Sequence, residues 1–191
     1  MTTDPSHGWD AVAEAFMAVR SDTGADVVRR WAWQVSPGGT VVDIGCGFGE
    51  PVTRTLVEAG LSVWAVDASP TLVAAFQARF PGIPVACESA VTSDLFGRSF
   101  DGAAAVGLMF LLSPEDQHQL IERVARALQP GGRFLFSAPH QVCEWNDLLT
   151  GRRSRSLGEM AYREALEAAG LILTDLRTDA GGNHYFDAVR A

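Results

Sequence analysis

Apolar residues early in the chain recur at three- and four-residue steps: Trp9, Val12, Phe16 and Val19, then Val27, Val28, Trp31 and Val35. That is the period of a helix with one apolar stripe, so two amphipathic helices are predicted before residue 36. After the turn SPGG the texture changes to short apolar runs alternating with amphipathic stretches. The pattern predicts strands at 40–44, 61–66, 84–87, 101–107 and 133–138, and helices at 51–59, 70–80 and 114–128. Such alternation builds a doubly wound α/β domain, a parallel sheet with helices on both faces. Ser113, Pro114 and Asp116 supply an N-cap, a first-turn proline and most of a capping box, and QPGG at 129–132 stops that helix. Beyond residue 140 the pattern loosens into a polar loop, and Ser156 with Glu159 reads as a second capping box. The helix it opens ends before Gly170, and strand 171–177, the turn DAGGN and strand 184–189 read as a closing hairpin.

Composition narrows the function. A chain of 191 residues with 47% hydrophobic and 20% charged positions fits one globular domain. Residues 1–35 are its N-terminal helices, 36–140 its core, and 141–191 a loop, helix and hairpin on the substrate side. No apolar run approaches a membrane span, and MTTDPSHGWD lacks a signal-peptide pattern, so a cytoplasmic location is expected. A formal charge of −8 disfavours nucleic acid and anionic membrane as partners and leaves a small molecule. Three widely spaced cysteines suggest neither a disulfide framework nor a zinc site, and no metal is expected. The chain has no lysine at all. That excludes a lysine Schiff base and a GxxxxGK[ST] phosphate loop.

The chemistry concentrates at VVDIGCGFGEPV, residues 41–52. A strand ending in an aspartate, three glycines at alternate positions and a helix start bring backbone close to a ligand at the sheet's carboxyl edge. The third position of a dinucleotide fingerprint falls on Glu50, whose carboxylate would oppose a pyrophosphate. It tolerates a ligand carrying an ammonium group as well as a carboxylate. Asp67, 22 residues after Gly45, is placed to accept both hydroxyls of a ribose.

Together with VWAVDASP, CES, FDGAAAVGL and LQPGGRFLFSAP, in that order across residues 36–140, this loop strongly resembles the class I S-adenosylmethionine-dependent methyltransferases. The resemblance implies a Rossmann-like, seven-stranded, mostly parallel sheet whose last strand is antiparallel, with S-adenosylmethionine as cofactor. It places Asp43 and the backbone of Gly45, Cys46 and Gly47 on the methionine end, and Asp67 on the ribose. Ala68 then meets the adenine face, Glu88 and Ser89 the adenine edge, and Gly107 and Leu108 the methyl-transfer side. The expected activity is methyl transfer to an O, N or S nucleophile of a small molecule by in-line displacement. A non-catalytic cofactor-binding regulatory or structural protein is the alternative.

On the acceptor side the strand edge carries GLMF in place of the [ND]PP[YFW] of amide methyltransferases, so any base must come from later loops. His140 and His184 are the candidate proton acceptors, ahead of Glu144 and Asp147. Trp145 and Tyr185 are candidate acceptor contacts; His140, Trp145 and His184 are expected to face one pocket with Arg20 at its rim, covered by the N-terminal helices and the 140–156 loop.

Overall fold

The structure is a computed structural model that describes residues 4–191, so Met1 to Thr3 of the leading stretch lie outside the described residues. Its strands are β1 (Thr40–Ile44), β2 (Ser62–Asp67), β3 (Val85–Cys87), β4 (Phe100–Ala105), β5 (Leu128–Ser137), β6 (Cys143–Asn146), β7 (Arg153–Ser156), β8 (Leu171–Thr178) and β9 (His184–Arg190). Seven of them form one sheet in the order β3-β2-β1-β4-β5-β9-β8. β1 to β5 pair in parallel, while β9 is antiparallel to both β5 and β8. The expected seven-stranded sheet with one reversed strand is what forms. The order reverses between β1 and β4, and in open α/β sheets that switch point opens a crevice at the carboxyl edge.

The helices are α1 (Ala13–Val19), α2 (Ala25–Ala32), α3 (Val52–Glu58), α4 (Pro70–Arg79), α5 (Pro114–Ala127) and α6 (Glu159–Ala168). Strand side chains alternate between faces, so each strand feeds two cores. Val42, Ala103, Phe134 and Phe136 pack against Leu120 and Val124 of α5 and Tyr162 and Leu166 of α6. Val41, Val63, Ala104 and Leu135 pack against Val27 and Trp31 of α2 and Leu56 of α3. Ser113 caps α5 as expected, its hydroxyl accepting from the Asp116 amide at 3.1 Å. Among the described residues no helix is long and apolar enough to cross a membrane.

Three local expectations are corrected. The segment read as a polar loop carries the β6–β7 hairpin, which pairs apart from the main sheet. It is docked by the Trp145 ring on Phe110, centroids 5.3 Å apart, and by the buried Gln117, whose Nε2 donates to the Arg155 carbonyl at 3.2 Å. The Ser156–Glu159 capping box does not form: Gly158 takes the N-cap position with φ of 85°, and the Ser156 hydroxyl donates to the Pro139 carbonyl. Val19, assigned to a buried stripe, is 67% exposed, because α1 is only seven residues long and buries Ala13 instead.

Gly102 on β4 makes the packing testable. A Cβ there would lie 2.9 Å from the Trp31 ring and 3.1 Å from the Val41 side chain, both fully buried. Gly102→Ala is therefore expected to destabilise the protein by about 1–3 kcal/mol, the usual cost of overpacking. Urea denaturation checks this, and an unchanged midpoint would contradict the contact.

Candidate functional site

The β1–α3 loop is pinned by its own backbone. Gly45 and Cys46 amides both donate to the Val66 carbonyl, at 2.8 and 3.1 Å, and the Gly47 amide donates to Asp67 Oδ2 at 2.8 Å. Gly47 has a φ of 56° and lies under the Phe16 ring, which a Cβ would meet at 3.3 Å. A glycine is required there for the left-handed backbone and for the close approach. These three amides are bonded within the protein, so at Gly45, Cys46 and Gly47 the loop offers a ligand a close-approach surface and carbonyl oxygens.

Above this loop lies a cleft of about 930 Å³, counted to its open mouth. Gly45, Cys46, Gly47, Asp67, Ala68, Ser89, Gly107 and Leu108 line it, which brings together eight of the ten residues expected to hold the cofactor. Asp67 Oδ1 also accepts from the Ser69 amide at 2.9 Å, and each carboxylate oxygen keeps a further lone pair for a ligand hydroxyl. Burial holds the Asp67 carboxyl above its ordinary value, opposed by the amides of Ser69, Gly47 and Ala68.

Two residues depart from the expectation. Asp43 is 1% exposed, sits behind the loop outside the cleft lining, and accepts from the Thr53 hydroxyl at 2.6 Å. Desolvation pushes its carboxyl up to about 7. Glu88 is exposed and does not line the cleft, because β3 ends at Cys87 and turns its side chain outward. The charge of Glu50, which does line the cleft, is taken by Arg54 Nε at 2.6 Å and Arg79 Nη1 at 3.3 Å.

The N-terminal segment closes one side. Trp9, Phe16 and Phe48 form an edge-to-face series, with centroids 5.3 and 6.0 Å apart. Arg20 lines the cleft rather than an acceptor rim, and its Nε donates to the Glu50 carbonyl at 3.2 Å. Its Nη1 and Nη2 form no ion pair or hydrogen bond among the described residues and remain the cationic group beside the glycine loop.

The proposed acceptor residues are not brought to one pocket. His140 and His184 lie at the carboxyl edge but stack on each other, centroids 4.1 Å apart, on the face that carries Phe186. Neither lines the cleft. Burial and the neighbouring His184 hold the His140 imidazole below its ordinary value. Trp145 packs on Phe110, and Tyr185 is 2% exposed with its hydroxyl donating to Asp179 at 2.8 Å on the α2 face. The sequence reading missed His7, Leu111 and Leu112, which line the cleft. The turn composition DPSHG was the available signal for His7: Asp4 accepts from the amides of Ser6 and Gly8 and shapes the turn that sets the exposed His7 beside the cleft.

A family profile described as "Methyltransferase domain" matches residues 41–132. A carboxy-S-adenosyl-L-methionine synthase of Aeromonas salmonicida is 31% identical over 165 residues, covering 78% of this chain and 64% of that protein. The homologous synthase of Vibrio parahaemolyticus is 31% identical over 113 residues, covering 54% of this chain and 45% of its own. The chain spans about half the length of the curated relatives it matches. Among solved structures, a 1,6-didemethyltoxoflavin-N1-methyltransferase of Burkholderia thailandensis, with its acceptor and S-adenosylhomocysteine bound, superposes with a TM-score of 0.71 at 23% identity, covering 97% of this chain and 90% of that one.

Asp43 gives the site a pH signature. Its folded carboxyl titrates near 7 against 3.8 for an ordinary aspartate, so the native state binds the extra proton between those values. Stability is present below the lower value and lost as pH rises through the upper one. Wild-type denaturation midpoints should fall between pH 4 and pH 7, and the slope should flatten in Asp43→Asn; equal slopes would place the titration elsewhere.

Proposed function

We propose that this chain, which carries at residues 41–132 a methyltransferase domain of the class I, S-adenosylmethionine-dependent family, transfers a methyl group to an O, N or S atom of a small molecule. The single observation that carries the reading is the cleft itself, where Asp67 and a glycine loop whose Gly45, Cys46 and Gly47 amides are already bonded face the same space. When bound, S-adenosylmethionine supplies a methyl group already activated by a sulfonium. The chain then has to hold, orient and dehydrate the reacting pair.

Asp67 accepts the ribose hydroxyls with lone pairs its backbone partners leave open. Ala68, Leu72, Ser89 and Ala90 offer the adenine an apolar slot with one hydroxyl at its edge. Arg20 takes the methionine carboxylate, the role its free guanidinium nitrogens and the spent loop amides leave to it. Gly107 and Leu108 border the methyl-transfer side, where the absence of a side chain at Gly107 leaves room. Of the four histidines only His7 lines this cleft, so a proton leaving the acceptor would go to its imidazole rather than to His140 or His184. The net charge of −8 and the size of the cleft suit a small metabolite in the cytoplasm better than nucleic acid or a membrane surface.

Calorimetric titration tests the cofactor first: S-adenosylhomocysteine is expected to bind and NAD to show no heat, and the reverse result would overturn the reading. Asp67→Ala should weaken S-adenosylhomocysteine about tenfold to hundredfold in a folded protein, since charge-assisted hydrogen bonds contribute about 1.5–3 kcal/mol each. Arg20→Ala should weaken S-adenosylhomocysteine while leaving 5′-methylthioadenosine, which has no carboxylate, unaffected; equal losses for both would remove Arg20 from the methionine end.

For turnover, a metabolite panel with labelled methyl donor identifies the acceptor, and His7→Ala should then lower kcat without changing cofactor affinity. His140→Ala and His184→Ala should keep kcat near wild type. A loss confined to those two would return the proton transfer to the stacked pair.

A further inference from the structure

A second cleft, about 660 Å³ on the same measure, opens beside the first and shares His7, Trp9, Leu111 and Leu112 with it as a common wall. Its remaining lining is of a different kind. Arg152, Arg153 and Arg155 of the β7 region face it together with Thr150, Ser154 and the Ser113 hydroxyl at the start of α5. Asp116 is the one acid in that lining, and its carboxylate is occupied by the Ser113 hydroxyl at 2.9 Å. Three cations against one aspartate make a positive compartment on a chain of net charge −8.

The arginines are mounted but not used up. Arg155 is set by Gln117, which is buried and bonds the Arg155 carbonyl; Gln117 is itself held by the Tyr162 hydroxyl at 2.7 Å. The ion contacts of the three are exposed or long: Arg152 to Asp4 at 3.8 Å, Arg153 to Glu144 at 3.2 Å and Arg155 to Glu144 at 3.9 Å. Among the described residues none of their guanidinium nitrogens donates a hydrogen bond to a side chain or backbone oxygen, and neither Asp4 nor Glu144 lines the compartment. Exposed pairs of this kind contribute little, whereas a planar oxyanion engages a guanidinium through two parallel bonds.

We infer that this second cleft selects the acceptor: Arg152 and Arg155 hold its carboxylate or phosphate group while Trp9, Leu111 and Leu112 hold an apolar body against the first cleft. The inference rests on the methyltransferase reading above and names the substrate class of that site, an anionic small molecule with an apolar, preferably flat, body. A guanidinium clamp at one end and an aromatic wall at the other fix the position and direction of the acceptor. That is most of what in-line displacement on an activated methyl requires.

The test uses the full chain saturated with S-adenosylhomocysteine and three probes of one shape: benzoate, phenyl phosphate and benzyl alcohol. Binding is read by ligand-observed NMR titration at low salt. At least one anion should bind ten times or more tighter than the neutral alcohol, and the preference should shrink as salt is raised. Benzoate ahead of phenyl phosphate assigns a carboxylate acceptor, and the opposite order a phosphate. The double variant Arg152→Gln/Arg155→Gln should bring the anions down to the alcohol while S-adenosylhomocysteine affinity stays the same, and Arg155→Gln alone gives an intermediate result if the double variant fails to fold. Anions that bind no better than the alcohol to a protein that binds S-adenosylhomocysteine would overturn this inference alone. Failure to bind S-adenosylhomocysteine at all would sink the methyltransferase reading and this inference with it.

Discussion

The position of the glycine loop depends on four short backbone contacts at the end of β2. The Val66 carbonyl takes the Gly45 and Cys46 amides, and the Asp67 carboxylate takes those of Gly47 and Ser69. One strand end thus fixes both the loop after β1 and the start of α4. Low entropy is one consequence, since the Gly45, Cys46 and Gly47 amides are already fixed when a ligand arrives. A second consequence is chemical: with those three donors bonded inside the protein, the cation beside the loop comes from elsewhere.

It comes from the N-terminal segment, which is half of the site and not an accessory to it. Asp10 reaches across to the start of α4, accepting from the Ser69 hydroxyl at 2.6 Å and the Thr71 amide at 2.9 Å. An acid at a helix N-terminus is favourable there, and it ties the segment to the core. Phe16 then lies on Gly47, Arg20 on the Glu50 carbonyl, and Asp22 on Arg54 at 2.6 Å. Each contact pairs one residue of the first 22 with the β1–α3 loop or the helix that follows it. The cover and the cofactor loop are therefore one packed unit.

This explains what was legible in the chain and what was not. The core elements were readable because their periods differ, 3.6 for the helices and short apolar runs for the strands, and because glycines and Ser-Pro pairs mark their ends. Asp67 was readable from its spacing to Gly45. The β6–β7 hairpin was not, since CEWN and RSRS are mostly polar and four residues each, too short for alternation to show. His140 and His184 were placed at the correct edge on the wrong face: a strand sends neighbours to opposite sides, so His184 joins Phe186 on the α6 side while Tyr185 goes to α2. Arg20 and His7 lie in segments whose docking no local pattern specifies.

The acids around the cleft end in three different electrostatic states, and that sorting decides which ligand the site suits. Glu50 is paired with Arg54 and Arg79, so it does not repel a pyrophosphate as its position in the fingerprint suggested. Asp43 is buried beside the loop, and desolvation raises its carboxyl to about 7. Asp67 faces the cleft with spare acceptor capacity; burial raises its carboxyl, and backbone amides of Ser69 and Gly47 oppose that rise. A pyrophosphate would meet that carboxylate and a loop whose Gly45, Cys46 and Gly47 amides are already bonded. A ligand with ribose hydroxyls at one end and an amino acid at the other meets an acceptor at Asp67 and a cation at Arg20. Under the proposed function, the case for an adenosyl amino acid over a dinucleotide thus rests on which hydrogen bonds the loop has already made, which the glycine spacing alone does not reveal.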